Sequence, residues 1–340
     1  MRIIVTIGPV SQDTKVLREI IKLGIDTIRL NFSHFHEDEF KKVISEVRKL
    51  KKDVSIIGDL CGKKIRVYDK ITDTYKVKSN DIVYFCGMDL YEILLNNIEK
   101  NSALIPLTIT SKEIQDNDIK KIYMKDGTMS FDIIGKDKVF LKAIVKDGGV
   151  IRAGKGCNIP NINRIYNELS KKDKEDIKWA INNGIDIISQ SYVEDESEII
   201  QIQEYIKKLG LSRKEVKIFS KIETIKGFDN YNEILNISDG IIIARGDLVP
   251  ECGIVDTVIN EFKLLNKLKR QVYDAEIIIA THILDSMKNS NKPSVSELES
   301  IYNFIRYGVT GFLLSGETSV GKNPIKTAAY LKKLTDIYHI

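Results

Sequence analysis

Short apolar runs alternate along this chain with longer stretches whose apolar positions recur at helical spacing, and that rhythm predicts parallel α/β architecture. Eight runs have the length and β-branched content of strands: Ile3–Thr6, Asp26–Leu30, Ser55–Asp59, Asp186–Gln190, Val216–Ser220, Gly240–Ala244, Glu276–Ala280 and Gly311–Ser315. Amphipathic helices are predicted between and after them, among others at Thr14–Leu23, Glu37–Leu50, Lys171–Asn182, Ser197–Lys208 and Ile325–Leu334. Eight such repeats predict a closed (β/α)8, or TIM, barrel.

The pattern breaks after the third strand. Between residues 67 and 154 short runs such as Asp81–Phe85, Lys121–Met124 and Val139–Val145 alternate with the turn clusters KDGT and KDGG. This texture predicts a small antiparallel all-β barrel inserted in a loop. The expected organisation is a barrel domain of residues 1–66 and 155–340 with an inserted lid of residues 67–154. Loops at strand carboxyl ends build the active face of such barrels, so the insertion would close over a substrate.

Composition narrows the class without changing the fold. The chain is 43% hydrophobic and 29% charged, enough for a large core. Its 52 Lys+Arg against 48 Asp+Glu leave +4 with no basic block, which argues against nucleic acid as a partner. No apolar run reaches bilayer length, and Cys61, Cys86, Cys157 and Cys252 are widely spaced, so a reducing, cytoplasmic setting without membrane attachment is expected.

Reactive side chains gather at the predicted strand ends. Arg29, Asn31 and Ser33 end the second strand, Asp59 the third, Gln190 and Ser191 the fourth, and Lys221 and Glu223 the fifth. Arg245, Gly246 and Asp247 follow the sixth, Thr281 and His282 the seventh, and Ser315 and Glu317 the eighth. Glu223 and Asp247, on adjacent strands, are hard oxygen ligands suited to Mg2+ or Mn2+. Lys221 precedes Glu223 by two residues, so both side chains leave one side of the strand. A fixed ammonium beside a divalent ion suits phosphoryl transfer, whose spread negative charge needs cations.

Nine collinear motifs make the resemblance specific. TIGP at Thr6–Pro9, RLNFSH at Arg29–His34, GDLCGKKIR at Gly58–Arg66, KGCNIP at Lys155–Pro160 and LSKKDKEDI at Leu169–Ile177 resemble pyruvate kinases. SKIETIKGFDNYNEI at Ser220–Ile234, SDGIIIARGDL at Ser238–Leu248, ATHILDSM at Ala280–Met287 and LSGETSVGKNP at Leu314–Pro324 continue the series. The resemblance implies transfer of a phosphoryl group between phosphoenolpyruvate and ADP, giving pyruvate and ATP. It assigns Lys221 to the migrating phosphoryl group, Glu223 and Asp247 to Mg2+, and Arg29 to the substrate phosphate. It puts the backbone amides of Gly246 and Asp247 on the substrate carboxylate, Thr281 near the reacting carbon, and Ser315 with Glu317 in a proton relay. Arg66 and Lys155 would bind nucleotide phosphates, with His34 and Pro9 close by. Asn31, Ser33 and Asp59 match residues that hold K+ in the family. Members that need no K+ carry a lysine where this chain has Lys64, which implies activity without added K+ through a tethered ammonium in that region.

Several positions depart from the family pattern. Lys63 replaces a turn proline, His282 an amide side chain, Val249 and Pro250 a glycine-valine pair, and Val295 an arginine. The motifs end without the family's carboxyl-terminal regulatory domain, so classical allosteric control is not expected, and self-association would run through the barrel. A specialised paralogue phosphorylating a different 2-oxo or enol acid with ATP, and a non-catalytic binding protein on the same fold, are the alternatives to pyruvate kinase activity.

Overall fold

The computed structural model describes residues 1–95, 103–164, 168–211, 215–269 and 274–338. They form two compact units: Met1–Gly62, Glu168–Gly246 and Val258–Ile340 make the first, Lys63–Asn167 and Asp247–Thr257 the second.

In the first unit eight parallel strands close into a barrel in sequence order: β1 (Arg2–Thr6), β2 (Thr27–Asn31), β3 (Ser55–Asp59), β4 (Ile187–Gln190), β5 (Lys217–Ile222), β6 (Gly240–Ala244), β7 (Glu276–Ala280) and β8 (Gly311–Leu314). Closure comes from β8 pairing with β1, in the register Arg2↔Gly311 to Val5↔Leu314. Alternate residues fill the interior, among them Ile4, Ile57, Ile187, Phe219, Ile242, Ile278 and Leu313, each at most 2% exposed. This is the core of a packed barrel rather than a pore. Side-chain oxygens start the surrounding helices. Asp13 accepts from Lys15 N at 2.9 Å to cap Thr14–Lys22, and Ser170 caps Lys171–Asn182. Ser294 and Glu297 form a reciprocal box at the start of Val295–Arg306. Each such cap stabilises its helix by about 1 kcal/mol.

The α/β barrel predicted from the alternating runs is therefore present. Its strand limits move by no more than two residues from those expected, the largest change being β5, which continues to Ile222 and so carries Lys221 inside the strand.

The second unit holds a seven-stranded sheet in the order Ile65–Arg66, Gly156–Asn158, Lys121–Met124, Met129–Lys136, Phe140–Asp147, Ile82–Gly87 and Ala103–Leu107. The bridge Val67↔Leu107 joins its two ends and partly closes it. Two features differ from the predicted antiparallel barrel. Ile82–Gly87 and Ala103–Leu107 run parallel, because the chain between them includes the helix Tyr91–Leu95 and is long enough for a crossover. The unit also reaches beyond residues 67–154, because Ile65–Arg66 and Gly156–Asn158 pair with each other as strands of its sheet. Among the described residues no helix is long and apolar enough to cross a membrane.

Candidate functional site

The carboxyl ends of the barrel strands carry a buried charged cluster centred on Asp59, which is 1% exposed. Arg29, on β2, gives its Nε–H to Asp59 Oδ2 at 3.0 Å, adds a second, shorter bond from Nη2, and reaches Thr6 Oγ1 on β1 at 3.0 Å. Lys221 Nζ lies 3.4 Å from the same carboxylate oxygen, 2.9 Å from Ser191 Oγ and 3.1 Å from Glu223 Oε1. Burial pushes the Asp59 carboxyl up, but Arg29 and Lys221 outweigh it and hold the group below the usual carboxylate range. Neither Asp59 Oδ1 nor Ser189 Oγ meets hydrogen-bond geometry, although the hydroxyl is near enough to favour the ionised form.

Glu223, also 1% exposed, has Oε2 anchored by the Tyr192 N–H at 2.8 Å. Tyr192 stands at φ +58°, a conformation that costs a non-glycine residue on the order of 1 kcal/mol and turns its amide toward the carboxylate. Lys221 and Glu223 thus share a side of β5 and its extension, as their spacing predicted.

At the end of β7, Thr281 and His282 are both left-handed, with φ +65° and +53°. Arg245, at the end of β6, holds this strained turn: its Nε and Nη2 donate to Thr281 O at 3.1 and 2.8 Å, and Nη2 to His282 O at 2.6 Å. Its guanidinium stacks 5.2 Å from the Phe304 ring. Thr281 Oγ1 accepts the Gly246 N–H at 2.7 Å, which ties the turns after β6 and β7. His282 Nδ1 is 3.4 Å from Asp285 Oδ1. Glu317 is fully buried and accepts from Ser315 N at 2.8 Å and Ile283 N at 3.2 Å, tying the turns after β7 and β8.

Within the second unit, Asp247 occupies the first turn of the helix Arg245–Cys252 and accepts from Lys64 Nζ at 2.6 Å. Arg66 and Gly156 are register partners, and Lys155, next in the chain, presents its ammonium to Val150 O. Burial, with Lys125 and Arg152 nearby, lowers the Lys155 pKa. Arg66 Nη1 reaches Gly154 O at 3.0 Å. In the barrel unit Asn31 pairs in register with Asp59 and accepts from Ser33 N at 3.1 Å, which makes these three residues neighbours. Pro9 and His34 are exposed, in a turn after β1 and in the short helix Phe32–His34.

Motif reading passed over Glu261, although a signal existed. Thr257, Glu261, Leu264, Leu265 and Leu268 share the buried stripe of the helix Ile254–Leu268, and Glu261 is 1% exposed with Oε1 3.9 Å from Arg245 Nε. Burial pushes its carboxyl up to about 7, against the pull of Arg245. Between the ordinary glutamate range and pH 7 the folded chain therefore keeps a proton that the unfolded chain has released, and stability falls as pH rises through that window. Glu261→Gln is expected to remove this fall, on the order of 3 kcal/mol. Thermal melts of both proteins at pH 5 and pH 8 check it, and parallel shifts would contradict it.

A model of the pyruvate kinase barrel domain matches residues 1–328. A pyruvate kinase of Clostridium perfringens is 30% identical over 341 residues, which is 98% of this chain and 69% of the relative. That of Thermococcus litoralis is 31% identical over 98% of this chain and 68% of its own length, and that of Schizosaccharomyces pombe 32% identical over 97% and 64%. Against these and other curated relatives the chain spans between 56% and 70% of their length. With nearly every residue inside the family match, and its motifs at seven of the eight strand ends, the chain belongs to the pyruvate kinase family.

Proposed function

We propose that this chain transfers a phosphoryl group between phosphoenolpyruvate and ADP, giving pyruvate and ATP. The observation that carries the reading is the Lys221 ammonium held within 3.4 Å of Glu223, Ser191 and Asp59 at the barrel's strand ends. A cation fixed in that way stabilises charge spread over a migrating phosphoryl group without reorganising during the reaction. Arg29, already braced by Asp59 and Thr6, would contact the substrate phosphate. The amides of Gly246 and Asp247 would take the carboxylate, and Thr281, whose hydroxyl sits at Gly246, would face the reacting carbon.

Glu223 and Asp247 each offer hard carboxylate oxygens of the kind Mg2+ or Mn2+ takes, and the family resemblance makes them the residues that would hold it. Among the described residues no three His, Cys, Asp or Glu side chains gather to hold an ion. When bound, the ion supplies Lewis-acid stabilisation of substrate oxygens. Arg66 and Lys155 would meet nucleotide phosphates. Asn31, Ser33 and Asp59 would take a monovalent ion only weakly, since Asp59 is already paired with Arg29 and Lys221. Self-association through the barrel is supported by the exposed Val258 and Ile259 of the helix Ile254–Leu268.

A second reading, with a different 2-oxo acid as acceptor, is favoured by His282, an imidazole beside Thr281 and oriented by Asp285. The test is pyruvate formation from phosphoenolpyruvate and ADP with Mg2+, with and without K+. Turnover that needs Mg2+ and not K+ is expected. Absent turnover, combined with Mg2+-dependent ATP consumption on another 2-oxo acid, favours the second reading.

A further inference from the structure

The contact between Lys64 and Asp247 is built rather than incidental. Lys64 Nζ is 2.6 Å from Asp247 Oδ1, and Asn158 Nδ2 approaches the same oxygen at 3.3 Å. Both charged side chains are mostly covered, at 18% and 16% exposure, so water screens the pair poorly. Space for the lysine stem comes from Gly156. A methyl group on that residue would sit 2.7 Å from Lys64 Cε, closer than non-bonded carbons approach, so the absence of a side chain there lets the lysine lie across the strand. The strand Ile65–Arg66 begins directly after Lys64 and is paired to Gly156–Asn158, which aims the stem toward Asp247 and Asn158 together.

We propose that Lys64 is a tethered counter-ion of Asp247 that competes with the divalent metal for this carboxylate. The inference rests on the reading of Asp247 as a metal ligand. A carboxylate paired with an ammonium presents almost no net charge, and its attraction for a divalent ion shrinks accordingly. Metal binding either displaces the ammonium from Oδ1 or proceeds beside it against like-charge repulsion. Both routes weaken metal binding in the substrate-free protein. Lys64 thereby sets a threshold of metal concentration, and an anionic substrate that draws the ammonium away would lower it.

The experiment is titration of the full chain with Mn2+ alone, without nucleotide or acid, following the free-ion signal by electron paramagnetic resonance. Lys64→Met is expected to bind Mn2+ at least tenfold more tightly than the parent. Lys64→Gln serves the same purpose should the methionine variant fold poorly. Lys64→Arg keeps the charge and is expected to bind like the parent, whereas Asp247→Asn is expected to bind at least tenfold more weakly. Unchanged or weaker binding in Lys64→Met and Lys64→Gln, alongside weakened binding in Asp247→Asn, overturns the counter-ion while leaving the ligand in place. Unchanged binding in Asp247→Asn overturns the ligand assignment itself.

Discussion

Replacing Lys221 by Met is expected to lower kcat for pyruvate formation by roughly a thousandfold, a loss of about 4 kcal/mol of transition-state stabilisation. The side chain is 11% exposed, and its ammonium is fixed by three oxygens on three different strand ends. That fixation is what makes the charge valuable, because a mobile lysine at the surface would spend its interaction energy on ordering itself. Methionine fills a similar volume, so the barrel should fold and the loss should fall on kcat rather than on KM alone. Removing the ammonium also leaves Asp59 and Glu223 with less compensation, and a fall of a few degrees in melting temperature should accompany it. A coupled lactate dehydrogenase assay and a melt followed by circular dichroism measure the two effects. Activity within tenfold of the parent would remove Lys221 from the chemistry.

Asp59→Asn should cost both stability and activity, because one buried oxygen serves two cations. Asn keeps the shape and loses the charge, leaving Arg29 without its buried counter-charge and Lys221 with Glu223 alone. Breaking one side of a buried pair typically costs about 3–5 kcal/mol. Since Arg29 and Lys221 hold the carboxyl below its usual range, the parent's advantage is present at neutral pH and is lost as pH falls through the folded-state value. Denaturant unfolding at pH 7 should therefore show the full gap, and the gap should narrow as the solution is taken from pH 5 toward pH 3. Equal stability at pH 7 would mean that the two cations find other partners. The same substitution is expected to reduce kcat/KM by at least a hundredfold, because Arg29 and Lys221 both lose the group that orients them.

Much of the barrel was legible because its signals are local. Apolar runs of strand length, Asp13 and Ser170 before helices, and polar residues just past each strand are all read from neighbours in the chain. The pairing of Lys221 with Glu223 followed from strand periodicity alone. What escaped depends on long-range partners. Glu261 falls on the apolar stripe of its helix, but the cation it faces there, Arg245, is set by the fold. The parallel pair Ile82–Gly87 and Ala103–Leu107 could not be distinguished from a hairpin, since short strands carry no mark of direction. The contact of Lys64 with Asp247 is likewise long-range, favoured by the room at Gly156 and the nearby amide of Asn158.

Because β1 takes one of its two partners from β8, the newly made chain carries an unpaired strand edge until almost the whole barrel has been translated. At roughly 5–20 residues per second on the ribosome, Arg2 waits on the order of 15–60 s for Gly311 to emerge. A cell making this protein must keep that apolar ribbon from pairing with its neighbours for the whole interval, so its yield should respond more to chaperone supply than to the stability of the finished molecule.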